Sequence, residues 1–192
     1  MNSEHQIIRR KTRKIFVGDV PVGGDSPITV QSMTNTLTND VESTSDQIKQ
    51  LSDAGADIVR VSVPDQEAAD AFRKIKKRSP VPLVADIHFD YTMALEAIKG
   101  KADCIRINPG NIGKEEKIRE VIAAAKDTNT PIRVGINAGS LERKLQVKYG
   151  EPNSDALVES AMNHINILKK YNFEDFKLSI KASDVHLSLI HI

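Results

Sequence analysis

The sequence predicts an α/β fold of the (β/α)8 TIM-barrel kind, truncated after about six strands and led by a short N-terminal hairpin. Three observations carry this reading. Apolar segments of strand length alternate with segments of helical spacing, the order of right-handed βαβ units around a parallel sheet. Three of the strands carry an arginine followed two or four positions later by a small polar residue: Arg60 with Ser62, Arg106 with Asn108, and Arg133 with Asn137. Side chains alternate across a strand, so each pair shares one face. In an open parallel sheet helices cover both faces and strands are apolar throughout. A face that repeatedly carries polar residues near the strand's C-terminal end suits the interior mouth of a barrel.

The elements follow in order. Residues 1–13 are polar and read as a tail; the basic cluster Arg9, Arg10, Lys11, Arg13 and Lys14 reads as a solvated face. The partial barrel is expected over 14–186. Lys14 to Val17 and Val20 to Val22, with Gly18-Asp19 between, predict a hairpin. Ile28 to Met33 is the first buried strand, running into a polar loop. Val41 to Ala54 has helical spacing and a stop at Gly55. Asp57 to Val63 is a strand ended by Pro64, and Asp65 caps a helix to about Lys77. Leu83 to Ile87 is a strand leading into His88, and Tyr91 to Lys99 a helix closed by Gly100. Cys104 to Asn108 is a strand stopped by Pro109 and Gly110, with Asn111 opening a loop. Lys114 to Lys126 is a helix and Pro131 to Asn137 a strand. Leu157 to Tyr171 is a helix with Leu157, Met162, Ile165 and Leu168 at core spacing, and Phe176 to Lys181 the sixth barrel strand. Ala138 to Pro152 is left as a long loop on the carboxyl side of a strand, where such folds carry their ligands.

Composition narrows the function. The 40% apolar and 28% charged fractions are ordinary for a globular protein, and a net charge of +1 gives no global attraction to nucleic acid or anionic membrane. Any anion site must be local. No stretch is long and apolar enough to cross a bilayer, and no signal peptide is evident, so a cytoplasmic location is expected. The single cysteine, Cys104, excludes a disulfide framework and a multi-cysteine metal site from this chain, and reads as a small core residue. Asp86-x-His88 is too short a spacing for a two-ligand metal site with no third partner in view. Gly-Asn-Ile-Gly at 110–113 is neither a Walker loop nor a dinucleotide fingerprint.

The strand ends together present Arg60 and Ser62, Asp86 and His88, Arg106 and Asn108, Arg133 and Asn137, and Ser179 and Lys181. Guanidinium groups match phosphate oxygens with paired donors and an ammonium adds a point charge. Three guanidiniums, an ammonium and one opposing carboxylate would be satisfied by a multiply charged anion such as a diphosphate. Any one arginine more often pairs with a carboxylate elsewhere or reaches to solvent; three at the same strand position favour the anion. His88 alone leaves open a general acid, a hydrogen-bond donor or a satisfied polar residue.

Six stretches in order then carry a resemblance. They are Gln31-Ser32-Met33-Thr34-Asn35-Thr36, Val59-Arg60-Val61, Ala85-Asp86-Ile87-His88-Phe89, Arg106-Ile107-Asn108-Pro109-Gly110-Asn111, Arg133 through Ser140, and Lys181-Ala182-Ser183-Asp184. Together they resemble the bacterial 4-hydroxy-3-methylbut-2-enyl diphosphate synthases of non-mevalonate isoprenoid biosynthesis. The resemblance implies a cyclic diphosphate substrate, 2-C-methyl-D-erythritol 2,4-cyclodiphosphate, opened reductively at the barrel mouth with two electrons and release of water. It implies flavodoxin or ferredoxin as electron donor, a [4Fe–4S] cluster, and a homodimer when full length. It places Arg60, Arg106, Arg133 and Lys181 on the diphosphate, Asn108, Asn137 and Ser140 in the polar cradle, and Asp86 and His88 beside the substrate as the catalytic candidates. The family's cluster is held by three cysteines and a glutamate of a separate C-terminal domain, whose ligands cannot be assigned here. Residues 187–192 depart from the helix expected after Ser183-Asp184 and are expected to be a non-native tail, leaving a fragment that binds substrate without redox capability. The alternatives are a pterin-binding barrel of the dihydropteroate synthase kind and a non-catalytic anion-binding module.

Overall fold

The computed structural model describes residues 11–184. The expected tail at 187–192 and the arginines at 9 and 10 lie outside the described residues. β1 (Ile15–Val17) and β2 (Val20–Val22) pair antiparallel, Ile15 opposite Val22, around Gly18 at φ +60°. The remaining strands are β3 (Gln31–Met33), β4 (Ile58–Ser62), β5 (Leu83–Ile87), β6 (Cys104–Ile107), β7 (Ile132–Asn137) and β8 (Phe176–Lys181). They form one parallel sheet in the order β3-β4-β5-β6-β7-β8. A doubly wound sheet must reverse its strand order at a switch point. Here every neighbour is the next strand in the chain, which is the order of a barrel wall.

Four of the five helices of the outer layer open on a capping side chain, and each of the five buries one face. α1 (Val41–Asp53) is capped by Asp40, α2 (Gln66–Arg78) by Asp65 and α3 (Tyr91–Lys99) by Asp90, each carboxylate accepting a first-turn N–H. Such a cap contributes about 1 kcal/mol. α5 (Glu115–Asp127) and α7 (Ser154–Lys170) complete the outer layer, α7 capped by Asn153. The outward side chains Val59, Val61, Leu83, Ala85, Ile87, Ile105, Ile107 and Val134 pack under Phe72, Ile75, Ile98 and Ile122 of these helices. On the inward side a second, smaller cluster of Val17, Ile58, Val84 and Cys104 is closed off by Val20 and Val22, so the hairpin plugs the N-terminal end of the sheet. On β4 to β6 the inward residues Ile58, Val84 and Cys104 are thus dry, and the polar inward residues follow them in each strand.

Four expectations change. β3 is Gln31–Met33 and not the whole of Ile28 to Met33: the Val30 amide goes to the Asp57 carboxylate at 2.7 Å and Ile28 is 81% exposed. Asn111 is not in a loop but in a single helical turn, α4 (Pro109–Ile112), capped by Asn108 and opened by a proline at its first position. The segment 138–152 is not a featureless loop, because it contains a 3-10 turn (Ala138–Ser140) and α6 (Arg143–Tyr149). Met162 is 45% exposed; the buried face of α7 instead runs through Leu157, Ser160, Ala161, His164 and Leu168. Helical spacing alone could not separate these faces, because Ser160 and His164 find a polar partner in the core.

Phe72, fully buried beneath the sheet, is expected to dominate this packing. Phe72→Ala should lower stability by about 3–5 kcal/mol, whereas Met162→Ala should change it by less than about 0.5 kcal/mol. Urea unfolding of both variants checks the assignment of the two faces.

Candidate anion-binding site

The site is built on one row of registered inward positions. Ser62 of β4 is paired with Asp86 of β5, Asp86 with Arg106 of β6, Arg106 with Arg133 of β7, and Arg133 with Lys177 of β8. Parallel register therefore places a carboxylate and three cations side by side. Asp86 is at its centre and only 1% exposed. Its Oδ1 accepts a hydrogen bond from Arg106 Nη1 at 3.1 Å, and its Oδ2 lies 3.2 Å from Arg60 Nε and 3.9 Å from His88 Nε2. The carboxylate is not a bystander to three converging guanidiniums: it pairs with two of them and fixes their orientation.

Arg106 is 7% exposed, and its Nε is buried with no hydrogen-bond partner among the described residues. Its guanidinium lies flat against Gly135, where a Cβ would come within 2.4 Å of Nε and 2.8 Å of Cζ. The glycine's missing side chain is the space the guanidinium occupies. Arg60 donates from Nε and Nη2 to the Met33 thioether at 3.3 and 3.0 Å. Arg133 donates from Nε to Ser179 Oγ at 3.1 Å. Burial first, and then the neighbouring positive charges of Arg60 and Arg106, pull the Arg133 guanidinium below its ordinary pKa. Burial likewise pulls Lys177 down, with Arg133 adding to the effect. Cations so placed repel one another and favour an anion.

A second group of side chains lies toward the strand mouths. Asn108, itself buried, donates from Nδ2 to Ser140 Oγ at 3.0 Å, while its Oδ1 accepts the Gly110 amide at 3.2 Å. Asn137, Gly139, Ser140, Lys181 and Ser183 line an open cavity of about 260 Å³. The structure thus joins Arg60, Asp86, His88, Arg106 and Arg133 in one cluster, and Asn108, Asn137, Ser140 and Lys181 along its rim. Lys181 is exposed on that rim. In a larger hollow of about 680 Å³, bounded by Arg13, Lys126, Lys169 and Glu174, two of the cations are already engaged, Arg13 with Glu174 and Lys126 with the Tyr171 carbonyl.

Cys104 is fully buried on the inward face, where burial pushes its thiol up to about 11, so it is neither a nucleophile nor a ready thiolate ligand. No three His, Cys, Asp or Glu side chains converge to hold a metal ion among the described residues. With one cysteine in the sequence, the residues of this chain do not fit ligation of a [4Fe–4S] cluster, which needs several thiolates. No helix among the described residues is long and apolar enough to cross a membrane.

A family model described as the GcpE TIM-barrel domain matches residues 12–191. The chain belongs to this family. A 4-hydroxy-3-methylbut-2-en-1-yl diphosphate synthase (flavodoxin) of Alcanivorax borkumensis is 62% identical over 189 residues, covering 98% of this chain and 51% of the relative. The synthase of the same name from Idiomarina loihiensis is 61% identical over the same coverage. The chain spans about half the length of the curated relatives it matches. Solved structures include the Thermotoga maritima phospho-2-dehydro-3-deoxyheptonate aldolase, at TM-score 0.61 and 14% identity over 91% of this chain and 48% of that one. They also include the Yersinia pestis dihydropteroate synthase, at TM-score 0.62 and 13% identity over 86% and 61%. At such identities the likeness is of fold alone. It bears out the barrel architecture of the GcpE domain and lends the pterin-binding alternative nothing beyond that.

Sequence reasoning missed Lys177, Glu142, Ser160 and His164 of this GcpE barrel. Lys177 had a signal: it lies four residues before Lys181 on the same strand face. Glu142 had none, since its partners lie 18 and 22 positions away on a helix. Gly135→Ala should lower stability by about 1–3 kcal/mol by driving Arg106 from its seat. Gly139→Ala, where a Cβ would meet nothing within 4 Å, should change it by less than about 0.5 kcal/mol. Equal effects in urea unfolding would show that Arg106 does not depend on the glycine.

Proposed function

We propose that this chain is the substrate-binding barrel portion of an enzyme that reductively opens 2-C-methyl-D-erythritol 2,4-cyclodiphosphate to 4-hydroxy-3-methylbut-2-enyl diphosphate. The observation that carries the reading is Arg106: a buried guanidinium with an unpartnered Nε, flanked by Arg60 and Arg133 and balanced by the single carboxylate of Asp86. A buried cation with donors to spare costs stability unless an anion completes it. The names of the family's relatives supply a diphosphate as that anion.

In this reading Arg60, Arg106, Arg133 and Lys181 hold the diphosphate, and Asn108, Asn137 and Ser140 fix its orientation through neutral donors and acceptors. Asp86 holds two guanidiniums in place while substrate is absent. His88, at the exposed edge of the cluster and within 3.9 Å of Asp86, is positioned to give a proton to the oxygen that leaves as water. The reduction takes two electrons. These come from flavodoxin, the donor in the relatives' names, through an iron–sulfur cluster whose ligands this chain does not contain. The full-length protein is read as a cytoplasmic homodimer, and this chain as competent to bind substrate but not to reduce it.

Arg106→Ala is expected to weaken cyclodiphosphate binding about ten- to a hundredfold, equivalent to roughly 1.5–3 kcal/mol for a charge-assisted contact. Arg106→Lys should recover only part, since an ammonium cannot make a paired contact. Lys74→Ala, on the exposed side of α2, should have no effect. Calorimetric titration at two salt concentrations separates local recognition from bulk attraction. Equal losses at Arg106 and Lys74 that vanish in high salt would sink the assignment.

A further inference from the structure

We infer that Glu142 is the positioning residue of the anion cradle: anchored on Ser160 and His164 of α7, it holds the β7–α7 segment so that Ser140 meets Asn108. The inference rests on the proposed function for its ligand, but not for its geometry.

Glu142 stands at the entrance of α6, where its carbonyl accepts the Leu145 and Gln146 amides at 2.9 and 3.0 Å. An acidic side chain at such a position ordinarily turns back to cap the helix. This one makes no capping bond. Its carboxylate turns inward and accepts the Ser160 hydroxyl at 3.0 Å on Oε1 and 2.8 Å on Oε2. His164 Nε2 lies 2.6 Å from Oε1, off the line of a straight hydrogen bond. Ser160 and His164 are four residues apart, hence on one face of α7, and both are buried. A hydroxyl and an imidazole on the core side of a helix are costly unless a polar group meets them. Glu142 is that group, so the contact tethers the segment between β7 and α7 to the body of the fold.

What the tether holds is the cradle. Ser140 is two residues before Glu142, joined through the buried Leu141, and its hydroxyl receives the Asn108 amide. On the other side, the Glu142 stem lies over Gly110, where a Cβ would come within 3.2 Å of Cγ and 3.3 Å of Asn108 Oδ1. The same glycine's N–H is what holds the Asn108 side chain. Glu142 therefore touches the turns that present two of the three neutral cradle residues, Asn108 and Ser140. Burial pushes its carboxyl up, but His164, its own backbone and Ser160 outweigh this and hold it down at about 2. The anchor is a carboxylate throughout the neutral range.

The test uses the whole 192-residue chain in two parts. In the first, cyclodiphosphate is titrated against wild type, Glu142→Ala, Ser140→Ala and the double variant. Glu142→Ala should weaken binding about five- to tenfold, and the double variant should be no weaker than the worse single variant, because Glu142 acts through Ser140. Multiplied losses, or unchanged affinity in Glu142→Ala, would overturn the inference. A purely structural role would lower urea stability and leave affinity alone. The second part needs no ligand: in the milder Glu142→Gln, the Asn108 side-chain amide and Ser140 amide resonances should move while those of Asp86 and Ile87 stay. Stationary Asn108 and Ser140 signals would refute the tether. Moving signals in a wild-type background that binds no cyclodiphosphate would sink the proposed substrate and leave the tether standing.

Discussion

The carboxylate of Asp86 is the constraint on which the site depends. Guanidiniums on neighbouring parallel strands repel, by about 4 kcal/mol for unit charges 4 Å apart at an effective dielectric of 20. Arginines on the inward rows of β4 and β6 are eased by a charge on the strand between them, while Arg106 and Arg133 remain neighbours with none between. Asp86 supplies that charge, with one oxygen toward Arg60 and the other toward Arg106. A buried pair of this kind is weak evidence for stability, because desolvation offsets the attraction. It is better evidence for geometry. Two of the three guanidiniums are held to one orientation, the third is tied to Ser179, and the local charge remains positive. Gly135 then decides where Arg106 lies, since any side chain there would occupy the guanidinium's space.

The walls of this arrangement were readable from the residues because they depend on local rules. Alternation in Ile58-Val59-Arg60-Val61-Ser62 says which side chains point inward, Asp65 announces a helix start, and prolines and glycines mark strand or helix ends. The same alternation assigned Arg60, Arg106 and Arg133 to one face before any contact was known. What alternation cannot supply is partners. The pairing of Asp86 with both Arg60 and Arg106 joins residues 26 and 20 positions away in sequence, and it follows only from parallel register. The shortened β3 has the same origin, since the Asp57 carboxylate competes for an amide that a strand would have used. On α7, Met162, expected in the core, is exposed and His164 is buried. A carboxylate from another loop made a polar residue the better core neighbour, and no hydrophobic period can express that.

The flanks differ from the centre. β4 to β7 are covered outside by helices and paired on both sides, whereas β3 and β8 are each paired on one side. The outward residues Leu178 and Ile180 of β8, and Val158 and Met162 of α7, are exposed. Outward residues of the inner strands are covered by the helix that follows in the chain, and β8 has no such cover among the described residues. The carboxylate and guanidiniums of the anion cluster lie on the well-covered strands β4 to β7, and only Lys177 and Ser179 extend the row onto β8.

The donors of the cluster also suggest how it could exchange partners without rearranging. A guanidinium offers five N–H donors. Asp86 engages Arg60 Nε and Arg106 Nη1, which keeps both groups in place. Of the rest, Arg60 Nη2 is directed at a thioether sulfur and Arg106 Nε at nothing. A thioether is a weak acceptor, so little is lost when an anionic oxygen replaces it, and a charge-assisted bond to phosphate is roughly twice as strong as a neutral one. The strong contact sets direction while the weak and empty ones leave capacity. Binding then requires no guanidinium to abandon the carboxylate that orients it, and the entropy of ordering these long side chains is already spent in the fold. This preorganisation belongs wholly to the barrel. On the proposed reading, the anion would meet donors that are already in place, whichever group supplies the electrons.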